Sequence, residues 1–102
     1  MSEFVTVAST NDIEENKALV KNVDGMSVLV CQTGGEFLAV ENRCSHQNKP
    51  LAEGRIRNGY IFCPVHGMRF RLSTGEAIGQ LTDQPIRVFE SRVVDEQIQL
   101  RI

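Results

Sequence analysis

Residues that bind metals or form disulfides are scarce in this chain, which has three cysteines and two histidines among 102 residues. The N-terminal Met-Ser-Glu-Phe lacks the basic start and apolar run of a signal peptide. An odd number of cysteines without an export signal argues against a disulfide framework. No stretch reaches the roughly 18 apolar residues of a membrane span. We therefore expect a cytoplasmic protein whose cysteines are thiols or metal ligands.

The chain also lacks internal repeats, low-complexity tracts and a dinucleotide-binding fingerprint of the G-x-G-x-x-G kind. The missing fingerprint leaves no visible site for the NADH or flavin of a reductase. A chain of 102 residues builds one hydrophobic core. We therefore predict a single domain over residues 1–102.

The net charge of -2 conceals an uneven distribution along the chain. Residues 1–40 carry two Lys and six Asp/Glu, and residues 72–102 carry three Arg and five Asp/Glu. Residues 41–71 carry six Lys/Arg and two Glu. The six basic residues are Arg43, Lys49, Arg55, Arg57, Arg69 and Arg71. They form either a docking surface for a partner or a solvated face.

Short β-branched runs separated by glycine-bearing turns dominate the sequence. Turns at Asp24-Gly25 and Gly34-Gly35 predict a three-strand meander. Only residues 12–20, DIEENKALV, suggest one short helical turn. Further strands are predicted at 60–62, 69–72, 86–89, 93–95 and 97–101. The pattern predicts an all-β fold of small antiparallel sheets or an open barrel, with loops 42–50 and 63–67 projecting from it.

These two loops hold both histidines and two of the three cysteines, as Cys44-x-His46 and Cys63-x-x-His66. Thiolates and neutral imidazoles are ligands of zinc and of iron-sulfur clusters. Structural zinc sites generally pair two cysteines on one knuckle, whereas here each loop supplies one Cys and one His. That arrangement suits a two-iron cluster clamped between the loops.

The segments CSH and CPVHG, the preceding GEFLAVENRCSHQNKPL, and Phe70 with Thr74-Gly75 resemble the Rieske 2Fe-2S motif. The resemblance covers nearly the whole chain. It implies a Rieske-like fold with a two-loop cluster-binding subdomain at roughly 42–83, and a third loop near Gln80–Pro85. It also implies one 2Fe-2S cluster, with Cys44 and Cys63 on one iron and His46 and His66 on the other.

A terminal oxygenase needs further histidines for a mononuclear iron, and this chain has none left. We therefore expect an electron carrier and not an enzyme. The resemblance implies a ferredoxin of a bacterial aromatic-ring hydroxylating dioxygenase system, used in aromatic hydrocarbon catabolism. Its partners are then a flavin-dependent ferredoxin reductase and a terminal oxygenase, and we expect a monomer that binds neither nucleic acid nor membrane. The alternatives are the small Rieske-like subunit of an assimilatory nitrite reductase and a zinc-stabilised binding module.

High-potential respiratory Rieske proteins add a disulfide between the loops, a serine and a tyrosine around the same ligands. The matching positions here hold Lys49 and Val65, Met68, and Phe70. Because hydroxyl donors stabilise the more negative reduced cluster, the resemblance implies a potential at the low end of the Rieske range, roughly -150 mV. The third cysteine, Cys31, falls in a predicted strand and is expected to be a structural thiol.

Overall fold

The structure, a computed structural model, describes residues 4–45, 50–52, 54–63, 68–79 and 84–101. Over these residues the fold is nearly all β, as predicted, with one 3-10 helix at Thr10–Asp12. The strands are β1 (Phe4–Ser9), β2 (Ala18–Val23), β3 (Met26–Thr33), β4 (Glu36–Glu41), β5 (Ile56–Arg57), β6 (Tyr60–Phe62), β7 (Arg69–Arg71), β8 (Ala77–Ile78), β9 (Val88–Val94) and β10 (Gln97–Arg101). Across the same residues, no helix is long and apolar enough to cross a membrane.

The larger sheet has six strands in the order β1-β10-β9-β4-β3-β2, and its pairs are antiparallel. The predicted meander is β2, β3 and β4. Its turns have positive φ at Asp24 (50°) and Gly25 (80°), and at Gly34 (60°) and Gly35 (77°). Glycine and aspartate tolerate this region, which is why these pairs mark the turns. Strand β4 then pairs with β9, so the first motif loop begins beside the C-terminal part of the chain.

The smaller sheet has four short antiparallel strands in the order β5-β6-β7-β8. The predicted turn at Asn58-Gly59 joins β5 to β6, with φ of 53° and 83°. Strands β6 and β7 are the two arms of a hairpin, and the second motif loop is its connection. This sheet therefore presents that loop at one end.

Two groups of buried side chains stabilise the fold. The inter-sheet core, which includes side chains of both sheets, consists of Leu29, Cys31, Val40, Cys44, Leu51, Ile56, Ile61, Cys63, Met68, Phe70, Leu72 and Ile86. The large-sheet core consists of Ala8, Ile13, Val23, Val28, Val30, Ala39, Phe89, Ile98 and Leu100. Strand β3 contributes alternate residues to the two cores and is buried on both faces.

Several predicted elements differ from the structure. Residues 86–89 and 93–95 were predicted as separate strands, but Val88–Val94 is one strand, β9, which pairs with β4 at its start and with β10 from Glu90 to Val94. For residues 12–20 the sequence suggested one short helical turn, with the β-branched residues that follow favouring a strand; the 3-10 helix is Thr10–Asp12, and strand β2 begins at Ala18. Ser9 begins this helix with a capping box: its side chain accepts from Asn11 and its backbone N–H donates to Asp12.

Candidate metal centre

The first motif loop is closed at both ends by one residue, Asn42. The Asn42 backbone N–H donates to the carbonyl of Ser27 at 3.0 Å, and its side-chain Nδ2 donates to Ser27 Oγ at 3.1 Å. Its Oδ1 accepts a hydrogen bond from the backbone N–H of Leu51 at 2.7 Å. These bonds hold the residues on either side of the loop against β3, and Cys44 lies just inside the loop.

The second motif loop is the connection of the β6–β7 hairpin. Strand β6 ends at Phe62, and the backbone N–H of the next residue, Cys63, donates to the carbonyl of Met68 just before β7. The hairpin thereby closes the loop at its base. Cys63 is 2% exposed and Cys44 is fully buried at 0%.

The two described residues that flank residues 80–83, Gly79 and Gln84, each contact a neighbour of the motif loops. The hydroxyl of Ser45, in the first loop, donates to the carbonyl of Gln84 at 2.6 Å. Gly79 has φ of +148°, and a Cβ built there would collide with Sδ of Met68, the residue that follows the second loop. The third segment is therefore the part of the chain from Gly79 to Gln84, and its described ends lie beside the two motif loops. Its central residues, 80–83, lie outside the described residues.

The chemistry of the cysteines fits a cluster of thiophilic metal ions. Cys44 and Cys63 come from different loops, yet both belong to the inter-sheet core. Neither cysteine forms a disulfide. Thiolates held in an apolar core at the ends of two loops are suitable ligands for iron in an iron-sulfur cluster.

The other two predicted ligands, His46 and His66, lie outside the described residues, as do Lys49 and the segment 64–67. Over the part of the chain that the structure describes, no group of three or more His, Cys, Asp and Glu side chains converges. The full four-ligand set therefore stays a prediction.

Cys31 also belongs to the inter-sheet core, in the middle of β3 as predicted. Its thiol lies 3.9 Å from the carbonyl of Leu29. Burial raises the pKa of Cys31 from 9.0 to about 12, because the apolar surroundings disfavour the thiolate. The residue is therefore a neutral thiol, which is the form of a core side chain and not of a metal ligand.

Met68 and Phe70, at the positions that the resemblance matches to tuning hydroxyls, are both buried apolar side chains. Met68, which follows the second loop, is 3% exposed, and Phe70 on β7 is fully buried. Both belong to the same core as Cys44 and Cys63. Their surroundings are apolar, and neither side chain can donate a hydrogen bond to sulfur.

Among the described residues, the basic side chains of segment 41–71 lie in two places. Arg43 pairs with Glu41 at 3.2 Å and lies beside Arg87 and Met26. The other described arginines of the segment lie on or beside the smaller sheet; they are Arg55, Arg57, Arg69 and Arg71.

Sequence reasoning did not identify the side chains that hold the loops in place. Asn42, Ser45 and Gly79 act through contacts with residues distant in the chain, and no local motif marks them. The one signal available for Asn42 was an asparagine directly after a strand and two residues before a predicted ligand.

Comparison with known proteins agrees with this geometry. A family model of the Rieske 2Fe-2S domain matches residues 3–90. Over 102 residues the chain is 24% identical to the anthranilate 1,2-dioxygenase ferredoxin subunit of Burkholderia cepacia, covering 100% of this chain and 94% of that protein. It is 28% identical to the biphenyl 2,3-dioxygenase ferredoxin component of Rhodococcus jostii, covering 90% of this chain and 86% of that protein.

Solved structures give the same result. The ferredoxin of carbazole 1,9a-dioxygenase from Nocardioides aromaticivorans has a TM-score of 0.90 at 28% identity and covers 95% of both chains. A chain in the complex of reduced oxygenase and oxidized ferredoxin in carbazole 1,9a-dioxygenase has a TM-score of 0.89 at 27% identity, covering 96% of this chain and 92% of that one.

A Mycobacterium tuberculosis protein described as an NADH-dependent nitrite reductase small subunit has a TM-score of 0.88 at 18% identity, which shows a shared fold alone. It covers 100% of this chain and 96% of that one. The family match extends over most of the chain and includes both motif loops. The chain therefore belongs to the Rieske 2Fe-2S domain family, and its cofactor is one Rieske-type 2Fe-2S cluster.

Proposed function

We propose that this protein is an electron-transfer ferredoxin that carries single electrons from a flavin-dependent ferredoxin reductase to a terminal Rieske oxygenase. One observation carries the proposal: two buried cysteines, from loops at the ends of different sheets, share one apolar core and are not joined by a disulfide. Relatives that match almost the whole chain are ferredoxin components of dioxygenase systems.

Each predicted ligand has a role in this proposal. Cys44 and Cys63 would hold one iron as thiolates, and His46 and His66 would hold the other through neutral imidazole nitrogens. The bound cluster supplies one reversible electron acceptor. The apolar core excludes water from the cysteine side, and Asn42 keeps the first loop at a fixed position relative to β3.

The number of histidines in the chain supports an electron carrier and not a catalytic oxygenase subunit. With both histidines assigned to the cluster, the sequence retains no histidine for the mononuclear iron of an oxygenase. Formal charge also suits electron uptake. Two thiolates with two neutral imidazoles leave the oxidised cluster uncharged, whereas four thiolates would leave it at about -2. An added electron is therefore accepted more readily.

The proposal has further parts. We expect one domain over residues 1–102, with residues 42–83 forming its cluster-binding part, and a monomer in solution. A cytoplasmic location suits a carrier whose reductase draws electrons from NADH. One relative is a ferredoxin in complex with its oxygenase, which supports an oxygenase as one partner. The flavin-dependent reductase is the other partner that we propose.

One other function stays open to test. The small subunit of a nitrite reductase shares the fold, and a chain of that kind would copurify with a larger catalytic subunit.

Metal and redox analysis of anaerobically purified protein tests the proposal. We expect about two iron and two acid-labile sulfide per chain, a red-brown colour, and a rhombic EPR signal that appears only after one-electron reduction. His46→Ala and His66→Ala should each lose or cripple the cluster. Equimolar zinc without sulfide, or a cluster that cannot be reduced reversibly, would contradict the function.

A further inference from the structure

The outer face of the smaller sheet is cationic and aromatic. Strand alternation buries Ile61 and Phe70 and turns their neighbours outward. The outward residues are Arg57, Tyr60, Phe62, Arg69 and Arg71, with Arg55 just before β5. Arg57, Tyr60 and Arg71 form one cross-strand row, and Phe62 pairs with Arg69 in the next. We name these six residues the arginine face.

Tyr60 lies at the centre of this face. The guanidinium carbons of Arg69 and Arg71 lie 5.1 Å and 5.2 Å from the centroid of the Tyr60 ring. Such stacking orients a guanidinium while leaving its N–H groups available to an incoming acceptor. On the far side, Arg55, Arg57 and Phe62 line a shallow depression of about 320 Å³.

Within the described part of the chain, most arginines of the arginine face have no acidic side chain paired with them. Glu76 pairs with Arg71, Oε1 to Nε at 3.5 Å, and that buried Nε has no hydrogen-bond partner among the described residues. Arg92 and Arg101 lie outside this face and stack in the same way on Phe4, with their guanidinium carbons 3.9 Å and 4.8 Å from the ring centroid. They differ from the arginines of the face in their hydrogen-bond acceptors.

Both of these arginines have acceptors within the protein. Arg92 donates to Gln99 at 2.8 Å, and Arg101 pairs with Glu90 at 3.1 Å.

The position of the arginine face connects it to electron transfer. Phe62 is the last residue of β6 and Arg69 is the first of β7, so this cross-strand pair flanks the second motif loop. A partner docked on the face therefore lies against the base of the loop that begins with Cys63.

We propose that the arginine face docks a carboxylate-rich protein surface of a redox partner, with the arginines binding carboxylates and Tyr60 and Phe62 supplying apolar contact. The inference rests on the proposed electron-carrier function. Arginine and aromatic side chains are the residue types enriched at such interfaces, and arginine binds carboxylates through two N–H groups at once. No atom is transferred: one electron leaves the reduced cluster and enters the partner.

The size of the face favours a protein over a nucleic acid. Four strands at about 4.8 Å spacing make it only ~14 Å wide. Acidic side chains border it: Glu36 lines one groove together with Tyr60 and Arg71, and Glu76 pairs with Arg71. A long polyanion would extend over that acidic surface, whereas a few carboxylates on a protein would not.

Binding of a fluorescein-labelled hexaglutamate peptide to the cluster-containing protein tests the proposal. Arg69→Gln/Arg71→Gln should weaken the affinity about tenfold and flatten its salt dependence. The matched control, Arg92→Gln/Arg101→Gln, removes the same charge and two stacked arginines, and should leave the affinity within about twofold. Arg55→Gln/Arg57→Gln tests the same face without altering the Tyr60 stack and should also weaken binding.

Voltammetry on a carboxylate-terminated monolayer adds a redox measurement. The interfacial electron-transfer rate should fall about tenfold in Arg69→Gln/Arg71→Gln and stay unchanged in Arg92→Gln/Arg101→Gln. On an ammonium-terminated monolayer the wild type and both variants should give equal rates.

Equal loss of hexaglutamate affinity in Arg69→Gln/Arg71→Gln and Arg92→Gln/Arg101→Gln would overturn the proposed docking face, even if the protein takes up one electron reversibly. Tighter binding of a thymidine 20-mer than of hexaglutamate, lost in the same variants, would also overturn it in favour of a nucleic acid. Loss of reversible reduction in the wild type would instead refute the proposed function.

Discussion

At the residue scale, the three cysteines share one core but have different chemical roles. Cys44 and Cys63 stand at loop ends, where the chain leaves the sheets, whereas Cys31 has strand neighbours on both sides. Backbone position therefore separates the two proposed ligands from the structural thiol more clearly than burial does, because all three are buried.

Replacing Cys31 by serine should leave iron and sulfide content unchanged and should alter the stability of the protein at high pH. The folded pKa of about 12 lies above the ordinary value of 9.0. The stability that the neutral thiol contributes is thus fully present below pH 9 and is lost as the pH rises towards 12. Urea titrations between these values should show this decline in the wild type and a smaller one in Cys31→Ser. Cluster loss in Cys31→Ser would contradict the assignment.

Introducing a hydroxyl near the cluster should raise its reduction potential from a wild-type value of roughly -150 mV. Met68→Ser and Phe70→Tyr place a donor in the inter-sheet core, where it can stabilise the additional negative charge of the reduced state. Phe62→Tyr is the matched control, because Phe62 lies on the opposite face of the same hairpin. Protein-film voltammetry measures the shift. A wild-type value well above zero would refute the hydrogen-bond argument.

At the element scale, the β6–β7 hairpin contributes side chains to both faces of the smaller sheet. Its inward residues, Ile61 and Phe70, pack in the core that holds the cysteines, and its outward residues form the arginine face. The hairpin also contacts the third segment through Met68 and Gly79. A change in the contact between Met68 and Gly79 should therefore alter the conformation of the second motif loop.

Gly79→Ala should destabilise the loops, because L side chains rarely adopt a φ of +148° and the buried Met68 side chain must also move away from the new Cβ. We expect a loss of ~2 kcal/mol and faster bleaching of the cluster in urea. Gly25→Ala is the control, since Gly25 also has positive φ but a Cβ there meets nothing within 4 Å. It should cost ~1 kcal/mol and leave the bleaching rate near that of the wild type. Equal bleaching rates in the two variants would rule out a role for the contact.

At the scale of the whole molecule, the two cores should respond differently to removal of the cluster. The large-sheet core contains neither Cys44 nor Cys63, whereas the inter-sheet core contains both. In Cys44→Ser/Cys63→Ser we expect amide hydrogen exchange to accelerate in β5–β8 and to stay slow in β3 and β10. Equal acceleration in both sheets would show that the cores unfold as one unit.

The sequence predicted the parts of the fold that depend on local signals. The meander followed from Asp24-Gly25 and Gly34-Gly35, because positive φ restricts the residue types in those turns. Strand β1 was missed, since its only pairing among the described strands is with β10 at the other end of the chain. The two-residue strands β5 and β8 are too short to show alternation.

In the candidate site, too, the residues of the local motifs were predicted from the sequence, and the residues that act through tertiary contacts were not. The spacing of Cys44 and Cys63 marked them before the structure placed both in one core. The bonds of Asn42 and Ser45 could not be predicted, because their partners Ser27 and Gln84 are set by tertiary structure.

The Asn42 bonds have a consequence for cluster assembly. A chain segment loses conformational entropy when its ends are brought together, and this loss is a cost of whichever event closes the loop. Because Asn42 bonds to both Ser27 and Leu51, hydrogen bonds between protein groups contribute to closing the loop around Cys44. The binding energy of iron and sulfide is therefore not the sole contribution that offsets this loss of entropy.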